Sequence, residues 1–195
     1  MRKVGILGGG VWGSALAKLL SNYSVCIFAR DKKVVESINI HKFNPKLKYN
    51  VFNDNVKSTT NINDLQQVDY LFISLPSQSI REVLKRYNIV NKNIQIVIAS
   101  KGIEIESKLF LKDIVSELLK TKHISILSGP SFSHEVAQSL PTAVTLAAPD
   151  RKIFDDINKL FNNKNFRLYF SKDIIGCQLG GALKNIYAIA SGITN

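Results

Sequence analysis

Short apolar runs alternate with amphipathic stretches along most of this chain. Val4-Gly5-Ile6-Leu7, Val25-Cys26-Ile27-Phe28, Tyr70-Leu71-Phe72-Ile73, Ile94 to Ala99 and Ile124-Ser125-Ile126-Leu127 are too short for helices. Unbroken runs of this kind, bounded by turn residues, predict strands buried on both faces, as in a parallel sheet. Between them, apolar positions recur at helical spacing. Val11 to Leu20 places Leu16, Leu19 and Leu20 on one side, and Lys32 to about Ile40 predicts a second helix. Pro76 suits the first turn of a third, which carries Ile80, Val83 and Leu84. Ser107 to Leu119 predicts a fourth, with Leu111, Ile114, Val115 and Leu118 on its apolar face. Ala143 to Ala147 and Phe166 to Phe170 predict further strands around a helix near residues 150–161, and a last helix starts at about Asp173. Residues 41–55 are polar, rich in Asn and Lys, and predict a loop. The regular alternation predicts an α/β architecture with a mostly parallel sheet.

The chain has 195 residues, enough for one sizeable domain, and 45% of them are hydrophobic. The net charge of +11 favours anionic partners. The Lys and Arg residues are spread along the chain without a block of like charge, so a nucleic-acid partner is not expected. No apolar stretch is long enough to span a bilayer. The run after Met1-Arg2-Lys3 breaks into glycines, which is unlike a signal peptide. Cys26 and Cys177 are far apart in apolar surroundings and read as buried thiols. These features predict a cytoplasmic protein.

The first candidate chemistry lies at Gly8-Gly9-Gly10-Val11-Trp12-Gly13, which matches G-x-G-x-x-G at Gly8, Gly10 and Gly13. The loop follows one strand, opens a helix and precedes a second strand at the expected distance. Gly8 permits the tight turn, Gly10 lets backbone approach a pyrophosphate, and Gly13 lets helix pack on strand. The helix amides then face the phosphates. This predicts a Rossmann-type domain holding NADP or NAD. At the end of the second strand, Arg30 can pair with a 2′-phosphate and favours NADP. Asp31 keeps NAD open, since an acidic residue there binds ribose hydroxyls, but it equally suits the cap of the next helix.

Three later segments also carry polar groups to strand ends. Lys101, in Ala99-Ser100-Lys101-Gly102, would point into the crevice at the carboxyl end of a parallel strand. Leu127-Ser128-Gly129-Pro130-Ser131-Phe132-Ser133 offers amides and hydroxyls for an anion, or a helix cap by Ser131. In the last helix, Gly176, Gly180, Lys184 and Ala188 recur every four residues and share a face. Glycine inside a helix is about 1 kcal/mol worse than alanine. An open face for a ligand, with one lysine projecting from it, accounts for the glycines; close helix packing is the alternative. His41, His123 and His134 show no metal-ligand spacing, and no metal is expected.

Taken in order, six motifs resemble the bacterial NAD(P)-dependent glycerol-3-phosphate dehydrogenases. They are Gly8 to Gly13, Leu75-Pro76-Ser77, Ser100-Lys101-Gly102-Ile103-Glu104, Ser128-Gly129-Pro130-Ser131-Phe132, Leu140-Pro141-Thr142-Ala143 and Gly180-Gly181-Ala182-Leu183-Lys184-Asn185. The resemblance implies reduction of dihydroxyacetone phosphate to sn-glycerol 3-phosphate for phospholipid synthesis. It implies that Lys184 is the general acid/base, that Lys101 touches both substrate and cofactor, and that Gly129 and Ser131 bind substrate. Trp12, Arg30 and Ser133 fall at cofactor positions beside Gly8, Gly10 and Gly13. Val11 stands where the family usually has Ser, and Ser133 where it commonly has Ala. The resemblance further implies a dinucleotide domain over residues 1–172 and the first helix of a helical substrate domain over 173–195. Family members continue past this point, so the expectation is a shortened product, an excised cofactor domain or one half of a split enzyme. The partners foreseen are a small phosphorylated substrate and either a homodimer mate or a separate C-terminal domain. An apolar face left on the last helix would promote self-association.

Overall fold

The apolar runs line up as strands of one sheet in the computed structural model, which describes residues 1–47, 51–87 and 93–193. The elements are β1 (Lys3–Leu7), α1 (Val11–Leu19), β2 (Ser24–Phe28), α2 (Lys32–His41), β3 (Val56–Thr59), β4 (Tyr70–Ile73), α3 (Ile80–Leu84) and β5 (Gln95–Ile98). They continue as α4 (Leu111–Leu119), β6 (Ile124–Ser128), α5 (Ser133–Ala137), β7 (Thr142–Ala147), α6 (Arg151–Asn158), β8 (Phe166–Ser171) and α7 (Ile174–Ile193). The spatial order is β3-β2-β1-β4-β5-β6-β7-β8. The first six run parallel, β7 is antiparallel to β6, and β8 is parallel to β7.

Alternation along each strand supplies two cores. Val4, Ile6 and Phe72 pack on one face with Leu16 of α1 and Phe154 of α6. Leu7, Leu71 and Ile73 pack on the other with Ile80 and Leu84 of α3 and Ile114 of α4. Phe72 is fully buried and meets the edge of Phe161 at a centroid distance of 5.8 Å. Burying such a side chain contributes about 1.5–3 kcal/mol.

Three local expectations are corrected. Strand β3 is absent from the sequence reading because Val56 is its one apolar residue. Pairing with β2 and side-chain bonds from Asn39 to both Ser58 N and Ser58 O hold it at the sheet edge. Helix α4 begins at Leu111, not Ser107. The Ser107 hydroxyl donates to Glu104 at 2.6 Å and accepts from Leu109 N at 3.2 Å, and Lys108 sits at a φ of 61°. Such side-chain bonds compete with a helical start. The thiols of Cys26 and Cys177 are free but half-buried, where full burial was expected. Residues 48–50 of the expected 41–55 loop, and residues 194–195 of the expected last helix region, lie outside the described residues.

Helix α7 is fastened at its start. Asp173 Oδ1 accepts from Gly176 N at 2.8 Å, and buried Gln178 accepts from Lys112 N at 3.0 Å. Its second half leaves Ile186, Tyr187, Ile189 and Ile193 exposed. Among the described residues, no helix is long and apolar enough to cross a membrane.

Candidate functional site

Strand order reverses between β1 and β4, so the connections after these strands diverge and open a crevice at their carboxyl ends. The Gly8–Gly10 turn leaves β1 into it, Ser74–Pro76 leaves β4, Ala99–Lys101 leaves β5 and Gly129–Ser131 leaves β6. Gly8 has a φ of +126°, a region that favours glycine. A side chain at Gly13 would strike the Gly8 carbonyl, so this glycine lets α1 close on the turn. Nothing lies within 4 Å of where a Gly10 side chain would be, which leaves its backbone open to a ligand. No side chain caps α1, and its first turn holds no acidic residue. The turn therefore fits a pyrophosphate, which would take the free amides. Trp12 Nε1 is a buried donor with no partner among the described residues.

A cavity of about 300 Å³ flanks the turn, bordered by Gly8–Gly10, Phe28, Arg30, Asp31 and Lys46. Arg30 is exposed on its rim. Asp31 caps α2: its Oδ1 accepts from Lys33 N at 3.0 Å, while Oδ2 lies 3.8 Å from Lys46 Nζ. The capping role is thus present, and the carboxylate is shared with a lysine. A second cavity of about 380 Å³ continues from Gly10 and Trp12 to Lys101, Ser131 and Ser133. A third, of about 470 Å³, runs from Ser128 and Gly129 to Gly176, Gly180, Gly181 and Lys184.

Two lysines from distant parts of the chain reach the loop between these last cavities. Lys101 Nζ donates to Gly129 O at 3.3 Å, and Lys184 Nζ to Ser131 O at 3.5 Å. Lys101 also lies 5.9 Å from the Trp12 ring centroid, and Lys184 5.0 Å from that of Phe132. Lys101 is held below the ordinary lysine range, first by burial and then by the like charge of Lys184. Two ammonium groups so placed attract an anion, which relieves their repulsion. Either can also donate a proton to a developing oxyanion.

The glycines of α7 divide between the two roles foreseen. A side chain at Gly181 would meet Ser128 Oγ at 2.8 Å and Lys101 Cγ at 3.5 Å, so here the helix packs closely. Gly180 faces open space. A side chain at Gly176 would strike the capping Asp173 carboxylate. Ser131 is not a helix cap; α5 starts from Phe132 with no side-chain cap.

Sequence reasoning missed Asn44, Lys46 and Ser74. Asn44 is fully buried and donates to Gly9 O at 3.0 Å and Ser14 Oγ at 2.6 Å. Ser74 Oγ donates to Gly8 O at 3.2 Å, tying the end of β4 to the turn. Asn44 and Lys46 lie in a polar stretch whose only local signal is Asn-Pro turn chemistry. Ser74 is one polar residue after an apolar run, which any strand end would show.

Comparison with known proteins adds three findings. The family described as NAD-dependent glycerol-3-phosphate dehydrogenase N-terminus matches residues 3–154, and the corresponding C-terminus matches residues 173–195. A glycerol-3-phosphate dehydrogenase (NAD(P)+) of Erythrobacter litoralis is 37% identical over 196 residues, covering 99% of this chain and 59% of the relative. One of Bacillus subtilis is 37% identical over 203 residues, covering 100% and 59%. The crystal structure of glycerol-3-phosphate dehydrogenase from Coxiella burnetii superposes with a TM-score of 0.90 at 31% identity, covering 99% of this chain and 61% of that one. The chain spans about three-fifths of the length of these curated relatives.

Proposed function

Because the chain belongs to the NAD-dependent glycerol-3-phosphate dehydrogenase family, we propose that it serves hydride transfer between NAD(P)H and dihydroxyacetone phosphate, giving sn-glycerol 3-phosphate for phospholipid synthesis. The observation that carries this reading is the meeting of Lys101 and Lys184 at the Gly129–Ser131 loop, beside the open glycine turn. We assign residues 1–172 to the dinucleotide domain and 173–195 to the start of the substrate domain. Gly8, Gly10 and Gly13 would hold the pyrophosphate, with Trp12, Lys101 and Ser133 along the second cavity. Bound NAD(P)H would supply the hydride. Lys184 would hold the proton that the substrate ketone oxygen takes as it becomes an alkoxide. Lys101 would neutralise charge on the substrate and orient it, with Gly129 and Ser131 lining its path. Arg30 on the cavity rim supports a preference for NADPH over NADH.

The apolar half of α7 supports a partner as well. Ile186, Tyr187, Ile189 and Ile193 form a surface that a helical domain of the kind the longer relatives have room for would cover.

The test is to mix the protein with NADPH and dihydroxyacetone phosphate and follow the nicotinamide absorbance. Turnover that Lys184→Ala lowers by about a hundredfold or more supports the assignment. Undiminished turnover in that variant excludes Lys184 as the acid. NADPH binding without turnover, with activity restored on adding a separate helical domain, would establish that such a domain completes the substrate site.

A further inference from the structure

Asp31 stands where a carboxylate normally selects NAD by accepting the ribose hydroxyls. A free carboxylate at that point would also repel a 2′-phosphate. Here Oδ1 takes the Lys33 amide at 3.0 Å, and Oδ2 lies 3.8 Å from the half-exposed Lys46 ammonium. Lys46 comes from a different part of the chain, yet it borders the same cavity as Arg30 and Gly8–Gly10. Its placement is built rather than incidental. The Lys46 amide donates to Asn44 Oδ1 at 3.0 Å, and the Asn44 amide group donates to Gly9 O at 3.0 Å and Ser14 Oγ at 2.6 Å. Asn44 is fully buried, so the backbone that bears Lys46 is bolted to the glycine turn itself.

We infer that Lys46 is a specificity-determining residue: it neutralises Asp31 and, with Arg30, holds the 2′-phosphate of NADP. This rests on the dinucleotide reading given above. Two cations around one phosphate outweigh the single carboxylate, and Arg30 alone would face it uncompensated. Removing Lys46 acts twice against NADPH, by losing a cation and by freeing Asp31. The same change leaves NADH untouched or favoured, because the freed carboxylate can accept ribose hydroxyls.

The experiment measures NADPH and NADH dissociation constants separately by fluorescence titration, for the wild type and for Lys46→Gln, Lys46→Arg and the double variant Lys46→Gln with Asp31→Asn. Adenosine 2′,5′-bisphosphate and AMP serve as fragment probes. Lys46→Gln is expected to weaken NADPH and the bisphosphate by about tenfold while NADH and AMP change by less than about threefold. Lys46→Arg should keep the wild-type preference. Adding Asp31→Asn, which still caps α2, should recover part of the NADPH affinity. Equal loss for both cofactors, or no loss for either, overturns the inference while leaving dinucleotide binding in place. A wild type that binds neither cofactor overturns the dinucleotide reading and this inference with it.

Discussion

Lys101 is a side chain whose charge the folded protein disfavours. It is partly buried, close to Lys184, and its pKa is lowered, with burial the larger cause. The folded protein therefore releases this proton more readily than the unfolded chain does. Between the lowered value and the ordinary lysine value of 10.5, the unfolded state binds more protons, so this group's contribution to stability rises with pH across that window. Below it, the charged lysine is a fixed penalty. Lys101→Met is accordingly expected to keep or raise the melting temperature below pH 8 while weakening phosphate-bearing ligands by about tenfold or more. Thermal melts at two pH values, together with a titration of glycerol 3-phosphate, check both halves. A variant that both melts lower and binds as before would contradict this account. That Lys101 would face a ligand crevice was readable from its place after an apolar run. The proximity of Lys184 was not, because the two residues are far apart in sequence and nothing local couples them.

At the scale of elements, the last helix separates packing from access within one turn. Gly181 faces Ser128 and Lys101 closely, and Gly180 faces nothing within 4 Å. Gly180→Ala should raise stability by about 0.5–1 kcal/mol through helix propensity alone, seen as a higher denaturant midpoint. If the open face admits substrate, the same variant should raise KM for dihydroxyacetone phosphate with little change in NADPH affinity. A stability gain with unchanged KM would remove Gly180 from the site. Sequence spacing was enough to put Gly176 and Gly180 on one helix face with Lys184, and it left Gly181 off that face. It could not say which of them meets a neighbour, since that depends on how α7 crosses β6. Helix α4 and strand β3 teach the same lesson. The Ser107–Glu104 bond and the pairing of β3 with β2 decide their limits, and each is a contact outside the periodic pattern.

For the whole molecule, the exposed residues of α7 dominate the expected solution behaviour. Ile186, Tyr187, Ile189 and Ile193 are each more than half exposed, at 61%, 65%, 65% and 79%. A continuous apolar strip of this kind favours association. Sedimentation velocity should show a concentration-dependent shift to larger species, and replacing Ile186 and Ile189 by Ser should return the protein to a monomer. A monomer at all concentrations would mean that the strip is too narrow to bind itself. The global fold itself was largely foreseen: alternating runs implied an α/β sheet, and the glycine turn implied the Rossmann arrangement that similarity to the Coxiella burnetii structure bears out.

Sequence by itself determined most strands, most helices, the glycine turn and the family, because each is written in local periodicity, steric need or contiguous motifs. A central parallel strand buried on both faces is mostly apolar, and a turn with a φ of +126° favours glycine. Only the tertiary structure decided that β7 runs antiparallel, that Lys46 Nζ comes within 3.8 Å of Asp31, that Asn44 bolts its loop to the glycine turn, and that Lys101 and Lys184 reach the same loop. Those facts rest on chain crossings and on charges brought together from far apart in sequence. Their energies come from burial and proximity, which exist only once the sheet has closed the crevice around them.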